Sequence, residues 1–294
     1  MTGRVTVIVG ASSGIGLATA LQLAAAGDRL VLVARDSGAL DEAAERCRTE
    51  GATEVLCVPA DARKKADMQS LVDQTMAAYG RIDVLVHTAT VMAYGTIEQV
   101  PSEIFEIVVD TAIHGTAHIA RALLPVFRTQ KQGTFIIVNS LVGSITVPNM
   151  GAYATAKWGQ LAIARTLQQE VRDQPGVHVC VVSPGSTNTP IYRQAANYTG
   201  KAARPPFPVV QPERTAAAIV GLADRPRNHV SIPVGPPNPI IIAGYRLLPP
   251  LFDALVGPLF KLAALTGTKQ PATEGNVLAP APAKERVHGL WPEK

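Results

Sequence analysis

Cysteine is scarce in this chain: three of 294 residues, at Cys47, Cys57 and Cys180. An odd number so small excludes a disulfide framework. Cys57 and Cys180 sit in apolar, strand-like runs, so they read as free core thiols in a reducing, cytoplasmic setting. Charge is scarce too. Asp, Glu, Lys and Arg make up 17% of the residues, and 27 basic against 23 acidic side chains leave a formal charge of only +4. That surplus is too mild and too scattered for a nucleic-acid surface, and Arg63-Lys64-Lys65 reads as a solvated turn. The N-terminus lacks a charged-then-apolar signal pattern. No apolar run is long enough to span a bilayer. The most apolar region, Pro239 to Leu265, is broken by Pro249, Pro250 and Pro258 and carries Arg246, Asp253 and Lys261.

What is present is enough apolar residue, 47%, for a sizeable core. Short apolar runs alternate with helical patterns. The runs lie at 4–9, 29–34, 54–60, 82–87, 134–139 and 177–183. Helices are predicted after Gly16, over 37–50, 65–79 and 102–128, and from Tyr153 to about Arg172. Strands separated by helices throughout predict an α/β fold: a doubly wound parallel sheet in three layers, α/β/α. One domain over 1–238 is expected, followed by an extension over 239–294. The aperiodic, proline-containing stretch 186–210 has the length of a lid loop.

Chemistry concentrates in two places. Gly10-Ala11-Ser12-Ser13-Gly14-Ile15-Gly16 follows the first strand and opens a helix, the arrangement that brings a pyrophosphate to a helix N-terminus. The second strand ends at Ala34-Arg35, where an acidic residue would favour NAD and a guanidinium suits a 2′-phosphate. The other place is Ser140 to Lys157. Tyr153 and Lys157 are four apart, so a helix starting near Tyr153 sets a phenol and an ammonium on one face. Ser140 ends the apolar run before it.

These motifs converge, and the chain resembles the short-chain dehydrogenase/reductase superfamily over about residues 4–235. Gly10, Gly14, Ile15 and Gly16 match the cofactor loop, Asp61 the acidic residue near the adenine, and Ser140, Tyr153 and Lys157 the catalytic residues. Pro184-Gly185 with Thr189 matches the segment that meets the nicotinamide. The resemblance implies a Rossmann fold and NADP(H), preferred over NAD(H). It implies hydride transfer between a ketone or aldehyde and an alcohol. Ser140 would hydrogen-bond the substrate carbonyl, Tyr153 would give or take the proton, and Lys157 would hold ribose hydroxyls and lower the tyrosine pKa. Ser12, Ser13, Arg35, Ala89 and Thr187 complete the expected cofactor set. A homo-oligomer, dimer or tetramer, is implied as well.

Two departures stand out. Where the family usually has Asn-Asn-Ala-Gly, this chain has His87-Thr88-Ala89-Thr90, keeping only Ala89. Where the family often has an asparagine that holds a proton-relaying water for the lysine, this chain has Ala112. A backbone carbonyl or His114 is the remaining candidate for that water. These departures support a second reading, a catalytically weak cofactor-binding scaffold or sensor. Against it stand the intact Ser140, Tyr153 and Lys157. A third reading, nucleotide-sugar epimerisation or dehydration, is disfavoured by the compact glycine loop and the lack of a large second domain.

Val142, Val147, Met150, Met92 and Tyr192 lie near the motifs. They suggest a small, mostly apolar carbonyl or alcohol substrate, although each also fits ordinary core. His114 and His118, spaced i, i+4, lack the further ligands of a metal site; His178, His229 and His288 have no evident partner. The apolar stretch from Ile240 reads as a lid or an oligomer contact, with a weak membrane-surface contact as the competing reading. Residues 267–294 read as an extended arm, partly without fixed structure.

Overall fold

The computed structural model describes residues 3–228, 231–235, 237–281, 286–289 and 291; His229 lies outside them. The first half of the chain alternates strictly. β1 (Val5–Val9) leads to α1 (Gly14–Ala25), β2 (Arg29–Ala34) to α2 (Ser37–Glu50), and β3 (Glu54–Pro59) to α3 (Lys65–Tyr79). After β4 (Val84–His87) and the short β5 (Ala93–Tyr94) comes the long α4 (Ser102–Gln130). It is followed by β6 (Gly133–Val138), α5 (Gly151–Glu170) and β7 (Val177–Pro184). The remainder is made of smaller pieces: α6 (Ile191–Gln194), β8 (Ala196–Asn197), β9 (Lys201–Ala203), α7 (Pro212–Asp224) and β10 (Ile232–Val234). Helices α8 (Asn238–Leu247) and α9 (Pro249–Ala264) and strand β11 (Leu265–Lys269) complete it.

Seven strands form one parallel sheet in the order β10-β7-β6-β4-β1-β2-β3. The order reverses beside β1, where β2 lies on one side and β4 on the other. Ligands of open α/β sheets bind at the carboxyl ends of the strands at such a point. Both faces are covered, so the strands need apolar residues on both sides. Val5 to Val9 and Leu30 to Val33 are buried throughout, which is why they read as continuous apolar runs rather than alternating ones. One buried cluster joins Val7, Val31, Leu71, Leu123 and Phe135, and another joins Ile8, Leu23, Leu32, Leu40 and Ile219.

Cys47 and Cys180 are buried and Cys57 is half-buried, all as free thiols. Burial pushes the Cys47 thiol up to about 12 and the Cys180 thiol up to about 11, so neither is a nucleophile at neutral pH. Arg63 corrects one expectation. It is not a solvated turn residue but a half-buried partner of Asp61, with Nη2 donating to Oδ2 at 2.6 Å; Lys64 and Lys65 are exposed. The expected arm is also more engaged than its composition suggests. β11 pairs antiparallel with β9, and the described residues beyond it are laid onto the body of the protein.

Candidate active site

The glycine loop is shaped by close approach. A side chain at Gly16 would collide with the Gly10 carbonyl. Gly10 has φ +94°, and a Cβ there would stand 2.6 Å from the Thr88 hydroxyl and 2.7 Å from the Ala89 nitrogen. The altered segment after β4 explains part of this. Thr88 donates its backbone N–H to the Val9 carbonyl at 2.8 Å, and its hydroxyl reaches Val9 O at 2.9 Å and Gly10 O at 3.0 Å. Thr88 thus ties β4 to the start of the loop with its side chain. His87, fully buried, has no hydrogen-bond partner at either ring nitrogen among the described residues. Burial, with the nearby charge of Lys157, lowers its pKa to about 3, so it is neutral.

α5 starts at Gly151, which puts Tyr153 in its first turn and Lys157 one turn on. Both side chains are buried, and the Lys157 ammonium stands 5.7 Å from the centre of the Tyr153 ring. Ser140 caps a short 3-10 turn over Leu141–Gly143, its hydroxyl accepting from the Val142 N–H at 3.2 Å. Burial raises the Tyr153 pKa, a hydrogen bond with Ser140 opposes the rise, and Tyr192 adds to it. The expected lowering by Lys157 is not what these surroundings produce. The lysine is itself held below the ordinary range, at about 7, because its burial disfavours the ammonium.

The ammonium is anchored away from solvent. Nζ donates to the Val138 carbonyl at 3.1 Å and to Gln160 Oε1 at 2.9 Å. Gln160 Nε2 donates to the Thr116 hydroxyl at 2.9 Å, and that hydroxyl donates to the Ala112 carbonyl at 2.6 Å. Gln160 and Thr116 are completely buried. The lysine is thus linked to the backbone of residue 112 through Gln160 and Thr116. Sequence reasoning missed Gln160; a glutamine on the same helix face as Lys157, three residues on, was the available signal. His114 takes no part in this hydrogen-bond path. Its ring pairs with Asp110 at 2.8 Å on the outer side of α4 and stacks 6.1 Å from His118. His288 finds Glu213 at 2.7 Å.

A cavity of about 660 Å³ joins the two chemical regions. Every residue expected from the sequence lines it: Gly10 to Gly16 without Ala11, Arg35, Asp61, Ala89, Ser140, Tyr153, Lys157, Pro184, Gly185, Thr187 and Thr189. Met92, Val142, Val147, Met150 and Tyr192 line it too. Phe252, Leu255, Leu259 and Phe260 of α9 add an apolar wall. The Asp61 carboxylate is gripped by Arg63; burial would raise its pKa, but the bonds to Arg63 prevail and it stays low. Arg35 does not simply face the cavity. Its Nη2 donates to the Asn276 carbonyl at 2.7 Å and its Nη1 to the Val277 carbonyl at 3.2 Å.

A family model described as short chain dehydrogenase matches residues 4–198. The chain belongs to this family. It is 31% identical over 245 residues to 11-beta-hydroxysteroid dehydrogenase 1A of Arabidopsis thaliana, covering 79% of this chain and 68% of that protein. The solved structure of L-sorbose reductase from Gluconobacter frateurii, complexed with NADPH and L-sorbose, superposes with a TM-score of 0.71. It shares 26% identity and covers 80% of this chain and 95% of that one. A metagenomic short-chain oxidoreductase in complex with NADP gives 0.69, again at 26% identity, covering 80% and 98%. The protein is therefore an oxidoreductase, an NAD(P)-dependent dehydrogenase of the type that acts on CH–OH groups.

A dinucleotide fits the residues present. Gly10, Gly14 and Gly16 line the cavity with backbone alone, α1 starts at Gly14 with its N-terminal end beside it, where a pyrophosphate would lie, and the cavity is within the range of ligand sites. Among the described residues no helix is long and apolar enough to cross a membrane.

Proposed function

We propose that this chain is an NADP(H)-dependent carbonyl reductase or alcohol dehydrogenase for a small, mostly apolar substrate. The observation that carries the reading is one cavity lined both by the glycine cradle and by Ser140, Tyr153 and Lys157. Gly14 to Gly16 and α1 hold the pyrophosphate, Asp61 and Ala89 lie along the adenosine side, and Lys157 takes the ribose hydroxyls. Pro184, Gly185, Thr187 and Thr189 border the nicotinamide, which when bound supplies or accepts the hydride. Ser140 donates a hydrogen bond to the substrate oxygen. Tyr153 delivers the proton to that oxygen in reduction and withdraws it in oxidation. A buried phenol with a raised pKa remains protonated at neutral pH, which suits the reductive direction. Met92, Val147, Met150, Tyr192 and Phe260 exclude water from the reacting carbon and set a preference for apolar substituents.

Arg35 is the residue for the 2′-phosphate of NADP, and both cofactor-bound structures compared above contain the phosphorylated form. Residues 1–238 form the catalytic domain. Residues 239–294 are an extension that completes the site, and a homo-oligomer buries the outer face of α8 and α9. The decisive experiment is a panel of ketones, aldehydes and alcohols with NADPH and NADH, followed by nicotinamide absorbance. Turnover of an apolar carbonyl with NADPH supports the reading. Tight nucleotide binding with no turnover on any carbonyl favours the scaffold, for which Lys157's anchoring on Gln160 is the motivating observation.

A further inference from the structure

One face of α9 belongs both to the cavity and to the outer surface. Phe252, Leu255, Val256, Leu259, Phe260 and Ala263 all line the cavity. Their spacing, i, i+3, i+4, i+7, i+8 and i+11, makes one apolar stripe of a helix. Across its width the stripe passes from closed to open. Phe260 is buried in the cluster that holds Met92, Met150 and Tyr153. Leu255 and Leu259, in the same lining, are 49% and 56% exposed. Phe207, in the loop before α7, also lines the cavity and is 87% exposed. Arg204 ties the start of that loop to the end of α9. Its backbone N–H donates to the Ala264 carbonyl at 2.9 Å, its Nε to Ala263 O at 3.0 Å and its Nη2 to Leu262 O at 2.8 Å. The exposed leucines Leu247, Leu251 and Leu262 are a separate set, outside the lining.

The mouth is therefore apolar where a mouth meets water. A cavity for a short carbonyl compound has no use for Leu255, Leu259 and Phe207 at its rim, where exposed apolar surface costs free energy. Charge is also missing from this end. Among the described residues, the charged members of the lining are Arg35, Asp61, Arg63 and Lys157, which belong to the nucleotide end and to the catalytic group. A charged or sugar-like substituent would find no ion-pair partner along α9. From Phe252 to Phe260 the stripe covers about 12 Å of helix axis at 1.5 Å per residue, room for an extended hydrocarbon beyond the reacting carbon.

We propose that the substrate is a carbonyl compound, or the matching alcohol, with an extended uncharged hydrocarbon tail. The oxygen-bearing carbon lies at Ser140 and Tyr153, and the tail leaves along the α9 stripe past Leu255, Leu259 and Phe207. Leu255 and Leu259 set the preference for tail length. The inference rests on the reading of the cavity as a carbonyl-reductase site and names the substrate class of that site. Hydride from NADPH and the proton from Tyr153 complete the reduction, and the tail takes no part in bond making.

The test is a series of straight-chain methyl ketones from butanone to tetradecanone, reduced by the full chain with NADPH. Each added methylene that enters the trough should raise kcat/KM by about two- to fourfold, the lower figure for a half-open wall and the upper for a closed one. The gain should lie mainly in KM, because the tail is remote from the reacting carbon, and should level off once the tail outruns the stripe. In Leu255→Ser combined with Leu259→Ser, the ratio of kcat/KM for the long ketones to that for the short ones should fall by about tenfold. A terminal carboxylate on a tail of equal length should cancel the gain. Turnover of short ketones with no dependence on chain length overturns the tail subsite and leaves the carbonyl-reductase reading standing. A length dependence unchanged in the folded double variant, read alongside its thermal melting, removes Leu255 and Leu259 from the subsite. Keto acids turned over as well as the matching ketones overturn the uncharged class. No turnover of any ketone, short or long, overturns the carbonyl-reductase reading itself and this inference with it.

Discussion

Gln160 Oε1 accepts a 2.9 Å hydrogen bond from the Lys157 ammonium, and both residues are all but sealed from solvent. A buried ammonium is expensive unless its donors are met. Here Val138 O and Gln160 meet two of the three, and Thr116 fixes the carboxamide that does so. Gln160→Leu should lower the Lys157 pKa further, below about 7, because an acceptor of the charged form is lost while burial stays. If the reaction needs the cation, activity falls as pH rises through that value, and the alkaline limb should move to lower pH. A kcat/KM loss of about tenfold at pH 8 and less at pH 6 is expected, in line with a lost bond to a charged group. Ala112→Asn should bring no gain in turnover, since Gln160 and Thr116 already connect the lysine to residue 112. An unmoved pH limb in Gln160→Leu would separate the carboxamide from the lysine's charge.

Tyr153→Phe removes the proton donor while keeping the ring that packs with Met92, Tyr94 and Met150. Turnover should fall by at least ~10²-fold, the lower range for a positioned acid or base, with nucleotide affinity nearly unchanged. A wild-type rate in a correctly folded variant would be incompatible with the assigned role.

His87 makes stability sensitive to acid. Its folded pKa is lowered to about 3 from the ordinary value near 6.5, so between those values the unfolded chain binds the extra proton. Stability contributed by the neutral ring is full above pH 6.5 and is lost as pH falls towards 3. His87→Leu removes two buried nitrogens that have no partner among the described residues and should stabilise the protein by about 1–3 kcal/mol at pH 5. The gain should shrink at pH 8. Urea unfolding at both values measures it, and an equal effect at the two would show that protonation of His87 is not involved.

Arg35 is reached by tail carbonyls from residues more than 240 positions away. Arg35→Asp should favour NAD over NADP through repulsion of the 2′-phosphate, the sign expected at the end of the second strand. It should also loosen the tail. A cofactor ratio, read as kcat/KM with each nucleotide, that does not move would remove Arg35 from the phosphate site.

The parts of this structure that were legible from sequence are those written in short-range pattern. Val5–Val9 with Gly10, Gly14 and Gly16 states strand, turn and helix within twelve residues, and Tyr153 with Lys157 states one helix face. The loop residues and catalytic residues meet in one cavity because the parallel sheet aligns all strand ends, and that alignment follows from the alternation. What was not legible depends on side chains meeting across the fold. Gln160 with Thr116, and Gly14 with Arg286, share no local periodicity. The low complexity of the tail also hid Val277 and Val287, whose apolar side chains dock into buried clusters of the body. Arg63 with Asp61 was readable in principle, being two residues apart. The basic run around Arg63 concealed it.

The two helices of the extension have a divided surface. Phe252, Leu255, Val256, Leu259 and Phe260 reach the cavity, yet Ile240 and Leu247 are each 76% exposed and Leu262 is 73% exposed. So many large apolar side chains left exposed on two neighbouring helices cost free energy in water and are normally covered. The proposed cover is a second copy of the chain, since a self-complementary apolar patch closes a symmetric dimer. Replacing Leu247, Leu251 and Leu262 with Ser should shift the protein to monomer in light scattering after size exclusion, while a substrate cavity lined by other residues keeps turnover within about threefold, the change expected for surface substitutions that spare the site. Flotation with phospholipid vesicles separates the competing cover. If the unaltered chain floats and the triple variant does not, the face binds a lipid surface rather than its own copy. A monomeric unaltered chain that stays with the soluble fraction would count against both.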